Sequence, residues 1–215
     1  MAPEVQEHGF TFEKWVHDTF FDSYKARSYT DEWDVGKEFN VNYGGVPVSI
    51  KTAKYGSPVG LGDALRQFRI NEDFLLVIGY WRQEEKKKRI VNILAVPVTV
   101  DLWHSLWRPI ALEDLQKLDT TIKDRTLSYQ QARAEAQRIK TQPPFTQAHI
   151  TVNPKIDSKT QRRLQCSLGF STLFSSVAPT ADQTAVDIPK LFTVESIEAF
   201  LSNPRIFKRS RQSNE

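Results

Sequence analysis

The chain has 215 residues, a formal net charge of +3 and a pI near 8.9, with 40% hydrophobic and 11% aromatic residues. This length fits one domain with at most a small appended subdomain, and the apolar content excludes a wholly disordered protein. The single cysteine, Cys166, excludes an internal disulfide and a cysteine-based zinc site, and it favours a reducing compartment. We find no signal-peptide pattern and no run of about 18 apolar residues, so we expect a cytoplasmic protein without membrane association.

The first part of the sequence predicts a helix, a β-hairpin, a second helix and two apolar strands. Apolar residues at helical spacing place the first helix over residues 11–26, with Thr11 as its N-cap. Two β-rich runs flank Gly44 and Gly45, where paired glycines tolerate positive φ, and they predict a hairpin. The predicted elements are hairpin strands 33–42 and 46–53, a helix 63–72, and strands 74–82 and 90–98.

The second part predicts helices followed by a β-rich end. Its predicted elements are helices 100–108, 111–118 and 128–141, strands 147–153 and 162–170, a loop 175–188 and a short helix 193–201. This order predicts an α/β (α+β) fold with a central mixed β-sheet flanked by helices. We expect a core over residues 1–142, a β-rich part of the same domain over 143–203, and a basic tail over 204–215. Trp103 and Trp107 form an apolar stripe, which predicts core packing or, alternatively, a dimer contact.

The stretch from Asp34 to Lys51 carries the residues best suited to chemistry. Ser49 and Lys51 are two residues apart on a predicted strand, so they share one face, and Ile50 turns into the core. The predicted hairpin brings Asp34 close to that face. An aspartate that binds a hard divalent cation suits phosphodiester hydrolysis, as does a lysine that orients water or stabilises the pentavalent state. A cross-strand salt bridge is the alternative interpretation.

This arrangement resembles the PD-(D/E)XK nuclease superfamily, which includes most type II restriction endonucleases. In that family an Asp on one strand precedes Asp/Glu-X-Lys on the next, and Asp34 and Lys51 match the first acid and the lysine. Trp33 stands where the family has Pro, and Ser49 stands where the second acid is usual. The resemblance covers roughly residues 10–100, and it implies a restriction-endonuclease-like sheet and a Mg²⁺ cofactor.

The resemblance also suggests where the missing acid comes from. Some restriction enzymes with Ser-X-Lys take it from the helix just downstream, where Asp63 begins the predicted helix. Glu72 is a weaker candidate, about 13 Å further along by helix rise. Many family members place a Glu on the first helix, so we expect Glu13 to assist. The implied catalytic set is Asp34, Lys51, Asp63, Glu13 and Ser49, with Asp34, Asp63 and the Ile50 carbonyl as metal ligands.

Basic and amide side chains cluster in the segment VNPKIDSKTQRRLQCSL, residues 152–168. Cations suit phosphate contact, and Arg, Gln and Asn also read base edges; a solvated loop before an edge strand is the alternative. The glycine-rich segment YGSPVGLG, residues 55–62, lacks P-loop spacing, so we expect no nucleotide cofactor. Candidate DNA contacts are Lys54, Arg66, Lys155, Lys159, Arg162, Arg163 and Gln165.

These expectations converge on a Mg²⁺-dependent type II restriction endonuclease that makes sequence-specific double-strand breaks in DNA. We expect a homodimer, because a palindromic site is matched by two-fold protein symmetry. Two alternatives remain open. One is a DNA-binding module of the same fold that lacks catalysis because of Ser49, and the other is a DNA repair or structure-selective nuclease.

Overall fold

The computed structural model describes residues 4–22, 33–158 and 160–201, with residues 4–10 as backbone only. Their largest sheet has four strands in the order β1-β3-β4-β9. These strands are β1 (Val48–Lys54), β3 (Phe74–Glu84), β4 (Lys87–Val98) and β9 (Phe200–Leu201). β1 and β3 are parallel, whereas β4 is antiparallel to both β3 and β9. The prediction of a mixed sheet flanked by helices is therefore confirmed.

A second, antiparallel sheet has three strands in the order β2-β6-β5. Its strands are β2 (Val59–Asp63), β5 (Ile150–Ile156) and β6 (Arg162–Leu168), and a two-stranded ribbon of β7 (Lys190–Leu191) and β8 (Val194–Glu195) lies apart from it. Since β2 pairs with β6, the second sheet joins the segment before residue 142 to the segment after it.

Helices pack around these sheets. They are α1 (Glu4–Phe20), α2 (Ala64–Phe68), α3 (Val100–Trp107), α4 (Leu112–Lys123), α5 (Tyr129–Lys140) and α6 (Phe170–Thr172), which continues into a π-helical turn at Leu173–Val177. Side-chain caps define several starts: Thr99 Oγ1 accepts from Leu102 N, and Ser128 and Gln131 form a capping box. In the described part of the chain, every helix is too short or too polar to cross a lipid bilayer.

Strand β3 is buried on both faces, as its continuous apolar run predicts for a central strand. Leu75 and Val77 enter a smaller core beneath α1. Leu76 and Ile78 alternate with them and enter the larger core, which includes residues of α3, α4 and α5. The alternation along one strand thus sorts the core into two layers.

Helix α1 docks closely on the smaller core. Phe12 and Val16 are fully buried there. A Cβ added at Gly79 of β3 would lie 2.7 Å from ring atoms of Phe12, so the bare backbone of Gly79 lets the helix approach the sheet. This docking brings the residues on the next turns of α1 to the edge of β1.

The start of the chain differs from the prediction in two ways. Helix α1 begins at Glu4, so Thr11 lies inside it rather than capping it, and the predicted continuation through residues 23–26 lies outside the described residues. The predicted strand 33–42 is wrong: a single antiparallel bridge joins Val35 to Val48, and a 3₁₀ turn follows at Lys37–Phe39.

Buried Asn40 explains why the hairpin strand stops. Its Nδ2 donates to the Tyr43 and Val46 carbonyls, and its Oδ1 accepts from Tyr43 N. These side-chain bonds replace ladder bonds and close a compact loop, which contains Gly44 and Gly45 at positive φ.

The boundaries of other helices and strands also differ from the prediction. The second half of the predicted glycine-rich loop is strand β2, the helix predicted over 63–72 is confined to Ala64–Phe68, and α4 runs to Lys123. The predicted helix 193–201 is wrong, because its residues pair as β8 and β9 and follow Phe192 at positive φ. Trp103 and Trp107 are 0% and 1% exposed, so their core-packing interpretation is confirmed and their indoles offer no dimer contact.

Candidate active site

The Asp34 carboxylate and the Lys51 ammonium meet at the outer edge of β1. Asp34 Oδ2 lies 2.6 Å from Lys51 Nζ, and the two side chains are 27% and 20% exposed. The sequence predicted this convergence, although the hairpin meant to produce it is reduced to one bridge. Three backbone bonds hold that bridge: Asp34 N and Val35 N donate to the Val48 carbonyl, and Val48 N donates to the Val35 carbonyl.

Both backbone groups of Ile50 face the same edge. Ile50 N donates to Asp34 Oδ2 at 2.6 Å, and the Ile50 carbonyl accepts from Lys51 Nζ at 3.0 Å. Ser49 Oγ reaches the same carboxylate oxygen more weakly, at 3.5 Å. The ion pair thus satisfies edge groups that a paired strand would otherwise satisfy. The Ile50 side chain enters the smaller core, as predicted.

The Lys51 ammonium marks a place where a cation is favourable. It lies between a carboxylate oxygen and a backbone carbonyl oxygen, both of which are hard donors of the type that Mg²⁺ takes. All the hydrogen bonds to the Asp34 carboxylate among the described residues go to Oδ2, which leaves Oδ1 available as a metal ligand.

Helix α1 adds a second carboxylate to this environment. The pKa of Glu13 is raised from 4.5 to about 7, first by burial and then by the negative charge of Asp34, against the opposing effect of Lys51. Two carboxylates that share a half-buried place repel each other, and a bound divalent cation relieves such repulsion. Glu13, which was expected to assist, is therefore electrostatically coupled to Asp34.

His17 is a neighbour of this site that the sequence reasoning missed. Burial lowers its pKa, and its ring is hydrogen bonded to the backbone of Asp34, whose charge opposes that lowering. The available signal was its spacing: His17 follows Glu13 by four residues on α1, so both lie on one side of the helix.

Asp63 and Glu72, the other candidate acids, have different partners. Asp63 Oδ1 accepts from Arg66 N and so caps α2, and the negative charge of Asp63 helps to raise the pKa of the buried Cys166 thiol. Glu72 pairs with Lys37 at 3.6 Å. No hydrogen bond or ion pair among the described residues joins Asp63 to Asp34 or Glu13. Nor do any three His, Cys, Asp or Glu side chains in those ranges come together as a metal-binding group.

The candidate DNA contacts separate into groups. Lys155, Arg163 and Gln165 share the outward side of the second sheet, and Lys54 is exposed at the end of β1. Arg66 is half-buried beside Gly62, and Lys159 lies outside the described residues.

Arg162 does not join the outward group. Its guanidinium donates to the carbonyls of Ile122, Asp124 and Leu127 and thereby closes the end of α4. The alternation of β6 explains this correction, because Arg162 is in phase with buried Leu164 rather than with Arg163.

No protein-family model, no curated protein and no solved structure matches the chain.

Proposed function

We propose that the chain is a Mg²⁺-dependent endodeoxyribonuclease of the type II restriction kind. One observation carries the proposal: the Lys51 ammonium lies 2.6 Å from the Asp34 carboxylate and 3.0 Å from the Ile50 carbonyl oxygen. An acid, a backbone carbonyl and a lysine at one strand edge supply the groups that metal-assisted phosphodiester hydrolysis needs. Glu13 offers a second acid from α1, where the charges of Asp34 and Lys51 act on its carboxyl group.

Each residue has a role in this proposal. Asp34, Glu13 and the Ile50 carbonyl would hold the cation, which when bound lowers the pKa of a water ligand and neutralises charge on the phosphate. Lys51 offers a positive charge to the phosphate oxygens, where negative charge grows during attack. His17 positions the Asp34 backbone through its ring, and Ser49 donates to the Asp34 carboxylate.

Digestion of a supercoiled plasmid of known sequence tests the proposal. We expect discrete fragments with Mg²⁺ and none with EDTA. Lys51→Ala removes one charge-stabilising group and is expected to slow cleavage by about 10²–10³-fold or more. Asp34→Asn and Glu13→Gln are expected to abolish it.

The matched controls are Asp119→Asn and Lys123→Ala, which remove an ion pair of similar length within α4, where the Lys123 side chain is 56% exposed and the Asp119 side chain 13%. We expect both controls to cleave like the wild type. Cleavage that survives Asp34→Asn, or that continues in EDTA, contradicts the proposal.

Ser49 favours a second candidate, a DNA-binding module without catalysis, because a hydroxyl replaces a carboxylate that would bind the cation. The same digest separates the two functions. Intact plasmid in Mg²⁺, together with a retained gel shift, identifies the binding module. Discrete fragments favour a restriction enzyme, which we expect to be a cytoplasmic homodimer, whereas a smear favours a repair or structure-selective nuclease.

A further inference from the structure

One face of the second sheet consists of polar side chains. The alternation of β5 and β6 turns Ile150, Val152, Leu164, Cys166 and Leu168 into the larger core. The alternate positions point the other way, and all of them are polar and exposed or half-exposed. We call this set the outward face; it consists of Thr151, Asn153, Lys155, Arg163, Gln165 and Ser167.

The outward face has uncompensated positive charge at one end. Lys155 and Arg163 are directly opposite each other in the β5–β6 register. The Gln161 amide, with its oxygen towards Arg163, accepts from Nε at 3.1 Å and Nη2 at 2.7 Å, and it brings no negative charge. Across the described ranges neither cation has an ion pair. Like charges opposite each other destabilise a sheet, so an anion that binds between them relieves this repulsion.

The middle of the face presents amides. Asn153 is opposite Gln165, and Thr151 is opposite Ser167. Asn153 Nδ2 donates to Ser167 Oγ at 2.8 Å, which fixes one amide, while Gln165 makes no hydrogen bond within the described residues. Amide side chains read adenine edges through paired hydrogen bonds, and arginine reads guanine in the same way.

The dimensions of the face match a DNA groove. Alternate residues along a strand repeat every ~6.8 Å, which equals about two base-pair steps of ~3.4 Å. The major groove is about 12 Å wide and admits a two-stranded β-ribbon. On this side the third strand, β2, places Gly60 beside Ser167, where a Cβ would meet nothing within 4 Å, and the exposed Asp63 beside Gln165. Asp63 Oδ1 accepts from Arg66 N, so this carboxylate is held at the start of α2.

We infer that the outward face lies in the major groove of duplex DNA and reads base edges there. This inference rests on the proposed function, because it supplies the sequence recognition that a restriction enzyme needs. Lys155 contacts phosphate, whereas Arg163, Gln165 and Asn153 face the bases. RNA fits less well: the A-form major groove is too deep and narrow for side chains, and single strands are bound on aromatic rings, of which the outward face has none.

Selection from a randomised DNA duplex pool, with the full chain in EDTA, tests the inference. Fluorescence anisotropy over a range of NaCl concentrations then measures the affinity for the enriched duplex and for a scrambled one. Gln165→Ala is expected to weaken binding to the enriched duplex about tenfold and to relax selection at one position. Lys155→Ala is expected to weaken both duplexes alike and to reduce the salt slope by about 1.

Lys117→Ala is the matched control, since Lys117 is an exposed cation on α4, which packs on the inner side of the same sheet. The control is expected to bind like the wild type, and all four proteins are compared by thermal unfolding. Equal binding by Lys155→Ala, Gln165→Ala and the control overturns the inference, as does tighter binding to duplex RNA of the same sequence.

The plasmid digest keeps this inference separate from the proposed function. If the wild type cleaves in Mg²⁺ while the face variants select and bind DNA unchanged, the role of the outward face is refuted and the nuclease activity is supported. If binding depends on the face but neither the wild type nor any variant cleaves, the nuclease activity is refuted and the role of the outward face is supported.

Discussion

Two ion pairs of almost equal length occupy different parts of the molecule. Lys51 Nζ lies 2.6 Å from Asp34 Oδ2, and Lys123 Nζ lies 2.7 Å from Asp119 Oδ2. The second pair joins residues four apart on α4, where such pairs contribute a few tenths of a kcal/mol. The first pair joins a loop to a strand edge, and it shares its surroundings with Glu13 and a backbone carbonyl. The pair length says nothing about function; the neighbouring groups do.

Removing the acid of each pair gives the largest expected difference. Asp34→Ala leaves Ile50 N–H without its acceptor and the half-buried Lys51 ammonium without its carboxylate, so we expect a loss of about 2–3 kcal/mol in the free energy of unfolding. Asp119→Ala is expected to cost less than about 1 kcal/mol. Urea denaturation of both variants in EDTA measures these losses, and equal losses would remove the distinction between the pairs.

The docking of α1 separates the two regions further, because α1 packs in the same core as Val48 and Ile50 of β1, beside the Asp34 pair. Gly79→Ala places a Cβ 2.7 Å from the Phe12 ring, so we expect a cost of about 1–2 kcal/mol from overpacking. Gly60→Ala is the matched control, since its Cβ meets nothing within 4 Å. Thermal unfolding compares the two variants, and an unchanged midpoint for Gly79→Ala would show that the helix is less tightly seated than described.

The buried strands and helices of this fold can be predicted from the sequence pattern, whereas the loop at Asn40 cannot. The apolar run of β3 and the helical periods of α3 to α5 predict buried elements, because these patterns reflect burial directly. The strand 33–42 failed because Asn40 forms three side-chain bonds to its own loop, and such bonds depend on the folded arrangement.

Only part of the candidate site was predicted correctly from the sequence. Asp34 and Lys51 lie together as expected, because the chain reverses between them and the Val35–Val48 bridge holds Asp34 beside β1. Asp63 was chosen for its place at a helix start, and that place explains its capping role instead. Arg162 was predicted on charge alone, although strand alternation with Leu164 already indicated that it points inward.

The pH dependence of stability distinguishes the surroundings of the Asp34 pair from those of the Asp119 pair, because Glu13 titrates beside Asp34. Its pKa is about 7 in the folded protein against an ordinary 4.5, so the folded state binds more protons in that interval. Stability from this group is full below pH 4.5 and is lost as the pH rises through about 7. Unfolding midpoints in EDTA at pH 5 and pH 8 are expected to fall less in Glu13→Gln than in the wild type.

His17 contributes with the opposite sign, because its folded pKa is lowered and its stability is lost as the pH falls. Since His17 is present in both proteins, the difference between wild type and Glu13→Gln isolates Glu13. An identical pH profile for the two proteins would contradict the raised pKa of Glu13, and with it the burial of this carboxyl group beside Asp34.

Salt gives the smallest expected difference. The ammonium groups differ most in exposure: Lys123 is 56% exposed and Lys51 is 20% exposed, while their partners Asp119 and Asp34 are 13% and 27% exposed. Since the more exposed ammonium is better screened, 1 M NaCl is expected to weaken the coupling between Asp119 and Lys123, which is below about 1 kcal/mol, more than that between Asp34 and Lys51. Double-mutant cycles at low and high salt measure both couplings. Equal sensitivity to salt would show that the two pairs are equally solvated.

Calorimetric titration of the full chain with Mn²⁺ tests most directly whether Asp34, Glu13 and the Ile50 carbonyl form a divalent-cation site. We predict saturable binding by the wild type and by Asp119→Asn, and its loss in both Asp34→Asn and Glu13→Gln. Binding that is the same in all four proteins would contradict the account.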